Sequence, residues 1–89
     1  MNDQIKEFFN RNSVDRHSPI PLHYQLKNPI LSGIKEGTLI PGDCLPTEFN
    51  FSNIFNISRT TVRQALTTLV SEDFLYRVKS KGTFIARPR

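Results

Sequence analysis

The stretch 57–70, ISRTTVRQALTTLV, limits this chain more than any other because it carries two incompatible faces at helical spacing. Val62, Ala65, Leu66, Leu69 and Val70 follow the i, i+3, i+4, i+7, i+8 pattern of a helix seated on a core. Ser58 suits the N-cap, its hydroxyl accepting from the backbone N–H of Thr60 or Thr61, so the helix is predicted to start after it. The other face presents Arg59, Thr60, Arg63, Gln64 and Thr67 and meets no acid until Glu72. An ordinary solvated face mixes Glu with Lys at i, i+4; an acid-free face of donors suits an anionic partner.

The rest of the chain supplies a setting for that helix. Its 89 residues, 37% of them hydrophobic and seven of them Phe, allow one small domain and leave little room for a large catalytic cleft. The formal charge of +4 agrees with an anionic partner, although many mildly basic proteins have none. Cys44 is the single cysteine, so an intrachain disulfide is ruled out. With His17 and His23 it makes no metal-ligand spacing, and no cofactor is expected. No apolar run is long enough to span a membrane, the N-terminus lacks the order of a signal peptide, and a reduced cytoplasmic setting is expected.

Residues 1–18 read as an N-terminal extension, flexible or forming one short helix with Ile5, Phe8 and Phe9 on a stripe. Residues 19–87 read as the folded domain. Pro21 suits a first helical turn, and Leu22, Leu26, Ile30 and Ile34 recur at steps of four. Pro29 lies inside this helix, and a kink or break is expected near Asn28. Gly37 is placed as a left-handed cap, and Pro41-Gly42 fits a type II turn leading into a short strand at 43–45. Thr47 is the next N-cap, with Glu48 at the positive end of the dipole of a helix running to about Phe55. Phe51, Ile54 and Phe55 are its expected inward residues. Asn56 can take the left-handed conformation of a tight turn into Ser58. Two helices joined by so short a turn make a helix-turn-helix at about 48–67, the unit that lays its second helix in the major groove of DNA.

Past Glu72 the period changes to about two, with Phe74, Tyr76 and Val78 alternating against Leu75 and Arg77. A polar turn at 79–82 and the β-rich run 83–86 complete a hairpin, or wing, at about 75–86. The expected fold is therefore α+β: a winged helix-turn-helix of three helices and a C-terminal hairpin, with a short strand after the first helix. Lys79 and Lys81 would lie beside the groove that the helix enters, within reach of phosphates.

Four blocks in this order, PLHYQL at 21–26, LIPGDCLPTE at 39–48, ISRTTVRQAL at 57–66 and LYRV with KGTF at 75–84, resemble the N-terminal domain of the GntR family of bacterial transcription regulators, most closely its HutC-like branch. The resemblance implies that Arg59 reads a guanine, that Arg63 contacts backbone or base, and that Gly82 enters the minor groove. Guanidinium donors match guanine O6 and N7, and a glycine lets the backbone approach a groove floor. The full set expected to face DNA is Thr47, Ser58, Arg59, Thr60, Thr61, Arg63, Gln64, Lys79, Lys81, Gly82 and Thr83. Phe49 stands where such regulators usually carry another DNA-reading arginine; it could cap the core, stack against a sugar, or have no role. Asn50 stands where a glutamate is common, Asp73 replaces a frequent helix-ending glycine, and Ser80 replaces a wing glycine.

The resemblance implies sequence-specific binding to double-stranded DNA, as a homodimer on a pseudo-palindromic operator, within a metabolite-responsive repressor. A small-molecule effector is expected only if a C-terminal domain exists in the full-length protein, and the chain is expected to be either a fragment or a free-standing DNA-binding domain. The alternative is a winged-helix protein-interaction module that docks a partner through Phe49 or the Phe8-Phe9 stripe. No catalytic residues are expected: Glu48 has no partner carboxylate or nucleophile, and a helix-terminus role suits it better. His23 is expected as an ordinary helix residue, and Cys44 as a small buried filler.

Overall fold

Local capping chemistry sets the element boundaries in the computed structural model, which describes residues 3–11 and 13–87. Met1, Asn2 and Asn12 of the expected N-terminal extension lie outside the described residues. Among the described residues the order is α1 (Asp3–Asn10), α2 (Leu22–Glu36), α3 (Glu48–Phe55), α4 (Arg59–Ser71), β1 (Leu75–Val78) and β2 (Gly82–Ile85). Thr47 Oγ1 accepts from the Asn50 N–H at 3.1 Å, and Ser58 Oγ accepts from the Thr61 N–H at 3.1 Å. Gly37 ends α2 with φ 82°, and Asn56 ends α3 with φ 54°. At the end of α4, Asp73 takes φ 68° while its N–H donates to Val70 O and the Phe74 N–H donates to Leu69 O, both at 3.0 Å. Those paired bonds satisfy carbonyls that the helix end would otherwise leave open.

The expected break near Asn28 is absent: α2 continues through Pro29 from Leu22 to Glu36. Proline removes one bond to the Gln25 carbonyl and costs about 3 kcal/mol in a free helix. Here Leu26, Pro29, Ile30 and Gly33 form the buried face, and α2 packs along α4. Burying a Leu or Ile side chain returns about 1.5–3 kcal/mol each, so tertiary packing outweighs the local penalty.

One core joins every helix and both strands. Leu26 and Ile30 of α2, Phe51 of α3, Val62, Ala65, Leu66 and Leu69 of α4, and Leu75 and Ile85 of the hairpin are all buried. The N-terminal helix belongs to the same core, with Ile5 and Phe9 buried and Phe8 packed against it. Phe9 meets the Phe51 ring edge-on at 4.9 Å between centroids, a favoured aromatic geometry. Where this layer crosses α2 there is no room for a side chain: a Cβ on Gly33 would stand 2.7 Å from Leu39 Cδ1 and 3.1 Å from Phe8 Cε2.

The segment between α1 and α2 is held by Gln25. Its side-chain Nε2 donates to Asp15 O (2.9 Å) and Ile20 O (2.8 Å), while Oε1 accepts from the Asp15 N–H at 2.7 Å. Lys27 reaches from α2 to Glu72, just past α4, at 2.9 Å.

The strands pair antiparallel from Leu75 opposite Ile85 to Val78 opposite Gly82. The expected strand at 43–45 joins them as a single bridge, Cys44 opposite Phe84. Gly42 and Leu45 N–H groups donate to Ile85 O and Thr83 O, and the Ile85 N–H donates to Asp43 O, each at 2.9 Å. Gly42 holds φ 91° in the turn that begins this segment, and the Asp43 N–H closes it on Ile40 O at 3.0 Å. The hairpin is thus anchored to the helical body on its β2 side.

Candidate nucleic-acid interface

The polar face of α4 is open along its length. Arg59, Thr60, Arg63, Gln64 and Thr67 are exposed, while Val62, Ala65, Leu66 and Leu69 on the opposite side are buried. Two open concavities lie on the helix-turn-helix and wing. The first, of about 540 Å³, lies between the N-terminus of α3 and the wing, bounded by Thr47, Phe49, Arg77, Lys79, Lys81 and Gly82 among others. The second, of about 390 Å³, lies on the α2 side between His23 and Thr60, Arg63, Gln64 and Thr67. One depression is thus bounded by the start of α3 and the wing, and the other by the polar face of α4 and His23 of α2.

Charges on this surface are unevenly neutralised. Arg63 donates to both oxygens of Glu48, Nη2 to Oε1 at 3.0 Å and Nε to Oε2 at 3.4 Å. Arg77 from β1 approaches the same carboxylate at 4.0 Å. Glu48 therefore does more than sit at the positive end of α3: it fixes the Arg63 fork and links the two helices to the wing. Among the described residues Arg59 has no carboxylate partner within ion-pair distance. Its guanidinium lies over the Phe49 ring, 5.9 Å from the centroid. Phe49 is 59% exposed, which removes capping the core from the three roles left open for it.

The remaining site residues divide by what their atoms already bond. Ser58 and Thr61 hydroxyls lie 2.8 Å apart, and Ser58 Oγ holds the Thr61 N–H, so this pair sets the helix start. Thr47 is committed in the same way to the Asn50 N–H. Lys79 and Lys81 are exposed at the wing tip, Thr83 is half-buried, and Gly82 has φ 132°. A Cβ at Gly82 would come within 3.3 Å of Cys44 Sγ, so glycine answers both a backbone conformation and a close approach. Cys44 itself is half-buried. Ile5 and Phe9 are buried, which withdraws the Phe9 half of the apolar stripe considered as a protein-docking surface.

Sequence inspection missed the Glu48–Arg63 fork, the Arg59–Phe49 contact and the Gln25 clamp. Each joins residues on different elements, and only the opposite charges of Glu48 and Arg63 offered any signal.

The model of the bacterial regulatory proteins of the gntR family matches residues 23–85, more than half of the chain. The chain belongs to the GntR family. Within that family it is 46% identical over 77 residues to the HTH-type transcriptional repressor NagR of Bacillus subtilis, covering 86% of this chain and 32% of NagR. It is 35% identical over 74 residues to the histidine utilization repressor of Klebsiella aerogenes, covering 83% of this chain and 31% of that protein, in agreement with the HutC-like resemblance. The chain thus spans about a third of the length of these relatives. Among solved structures, that of AraR(DBD) in complex with operator ORX1 superposes with a TM-score of 0.79 at 35% identity, covering 84% of this chain and 95% of that one. The winged helix-turn-helix is thereby shared with GntR DNA-binding domains.

Proposed function

We propose that this GntR domain binds specific double-stranded DNA, with α4 in the major groove and the wing alongside. The observation that carries this is the exposed, acid-free face of α4, on which Arg59 faces no carboxylate among the described residues. In this proposal Arg59 reads a guanine, and Thr60, Gln64 and the fork-held Arg63 contact neighbouring bases and phosphates. Lys79, Lys81, Gly82 and Thr83 engage the flank, and Thr47, Ser58 and Thr61 orient the helix starts beside the backbone. That the similar AraR domain is solved in complex with its operator supports binding to double-stranded DNA. The domain works without catalysis, in the cytoplasm. Two copies act on one pseudo-palindromic site, and the function is repression, as in the named relatives. Response to a small-molecule effector is part of this proposal only if the full-length protein carries a C-terminal domain.

The test is to select binding duplexes from a random library and titrate wild type and Arg59→Ala against the selected and unselected DNA. Arg59→Ala is expected to cost about 1–3 kcal/mol on the selected site and little on unselected DNA. Wild-type affinity is expected to fall steeply with salt, as released counterions demand. Equal losses on both DNAs would remove the base-reading role of Arg59, and a salt-insensitive affinity would favour a protein-interaction module.

A further inference from the structure

We propose that Phe49 is a specificity-determining residue that packs on the C5-methyl group of a thymine next to the guanine read by Arg59. This rests on the DNA-binding proposal above. At 59% exposure the Phe49 ring contributes little to the core, and it stands in the open beside the polar face of α4. Its place on the protein is specific. It follows Glu48, whose carboxylate is tied to Arg63 and Arg77, and it borders the depression between α3 and the wing. The Arg59 guanidinium lies over its ring at 5.9 Å, within the range of a cation–π contact. One face of the ring therefore limits where the Arg59 fork can point.

The major groove offers one apolar feature for such a ring, the thymine methyl, which phenyl side chains are suited to contact. Successive base pairs are separated by about 3.4 Å along a strand. A spacing of 5.9 Å between guanidinium and ring then places the methyl within two base pairs of the guanine. Phe49 and Arg59 would act as one reading head, with an apolar half and a donor half. Arginine at position 49 would present a second fork and ask for a second guanine instead.

The experiment uses the duplex selected with the wild-type protein, with each thymine near the guanine replaced in turn by deoxyuridine. That replacement removes a single methyl and no hydrogen bond. One substitution is expected to weaken wild-type binding about fourfold, the worth of one buried methyl, and Phe49→Ala is expected to bind the T and U duplexes equally. Phe49→Arg is expected to move the preference at that base pair from T·A toward G·C in a repeated selection. Circular dichroism melts check that both variants fold, as an exposed position predicts. The proposal is overturned if the wild type binds every T and U duplex equally while still discriminating the selected site, or if Phe49→Ala keeps the wild-type T/U ratio. Failure of the wild type to select any duplex would instead overturn the DNA-binding proposal, and this one with it.

Discussion

The Glu48 carboxylate accepts from both Nε and Nη2 of Arg63, so the first residue of α3 holds the guanidinium of the second turn of α4 in a fixed plane. A planar fork held this way loses less freedom when it meets a phosphate or a base edge. The arrangement also sets one negative charge at a surface proposed to receive a polyanion.

Glu48→Gln separates those two effects. Removing the charge is expected to raise affinity for unselected DNA, most visibly at low salt, while a loosened Arg63 gains less from the selected site. The ratio of the two dissociation constants is therefore expected to fall. Stability is expected to drop by under about 1 kcal/mol, since both side chains are partly exposed. An unchanged or larger ratio in paired titrations would show that the carboxylate does not position Arg63 for recognition.

Ser80 sits at the wing turn with φ 67°, a conformation that costs an L-residue energy and glycine little. Ser80→Gly is expected to stabilise the domain by about 0.5–1 kcal/mol, after allowing for the extra freedom of glycine in the unfolded chain. For a domain of this size that corresponds to a rise of several degrees in melting temperature, read by circular dichroism. A lower melting temperature would mean that the serine side chain contributes more at the turn than the strain removes.

Phe9 is wholly buried and meets Phe51 edge-on, which makes the N-terminal helix part of the support beneath α3. Phe9→Ala is expected to cost about 3–5 kcal/mol in denaturant unfolding, enough to threaten the fold of so small a domain. A loss under about 1 kcal/mol would show that α1 docks only loosely.

Much of the fold was legible because its boundaries depend on short-range chemistry. Thr47, Ser58, Asn56 and Gly37 each act through bonds or backbone angles within their own turn, and all four hold the conformations expected of them. The break expected at Pro29 does not occur for the same reason: its local penalty is real, but the burial that offsets it depends on α4, distant in sequence. The polar face of α4 could be read from periodicity alone. Which of its arginines is tied down could not, because Glu48 approaches from another helix and Phe49 from the residue beside it. Gln25 stood inside a recognisable block, yet its clamp on Asp15 and Ile20 depends on how the preceding segment folds back.

The bridge between Cys44 and Phe84, with its three flanking backbone bonds, makes the wing a fixed outrigger of the helical body. Its angle to α4 is set when the chain folds, before any duplex arrives. A prong held at a preset angle samples fewer wrong poses at each collision. On the proposed mode of binding, a wing held at that angle ties the domain to one groove width, and a duplex is expected to be graded by how closely its own shape already fits the gap between helix and wing.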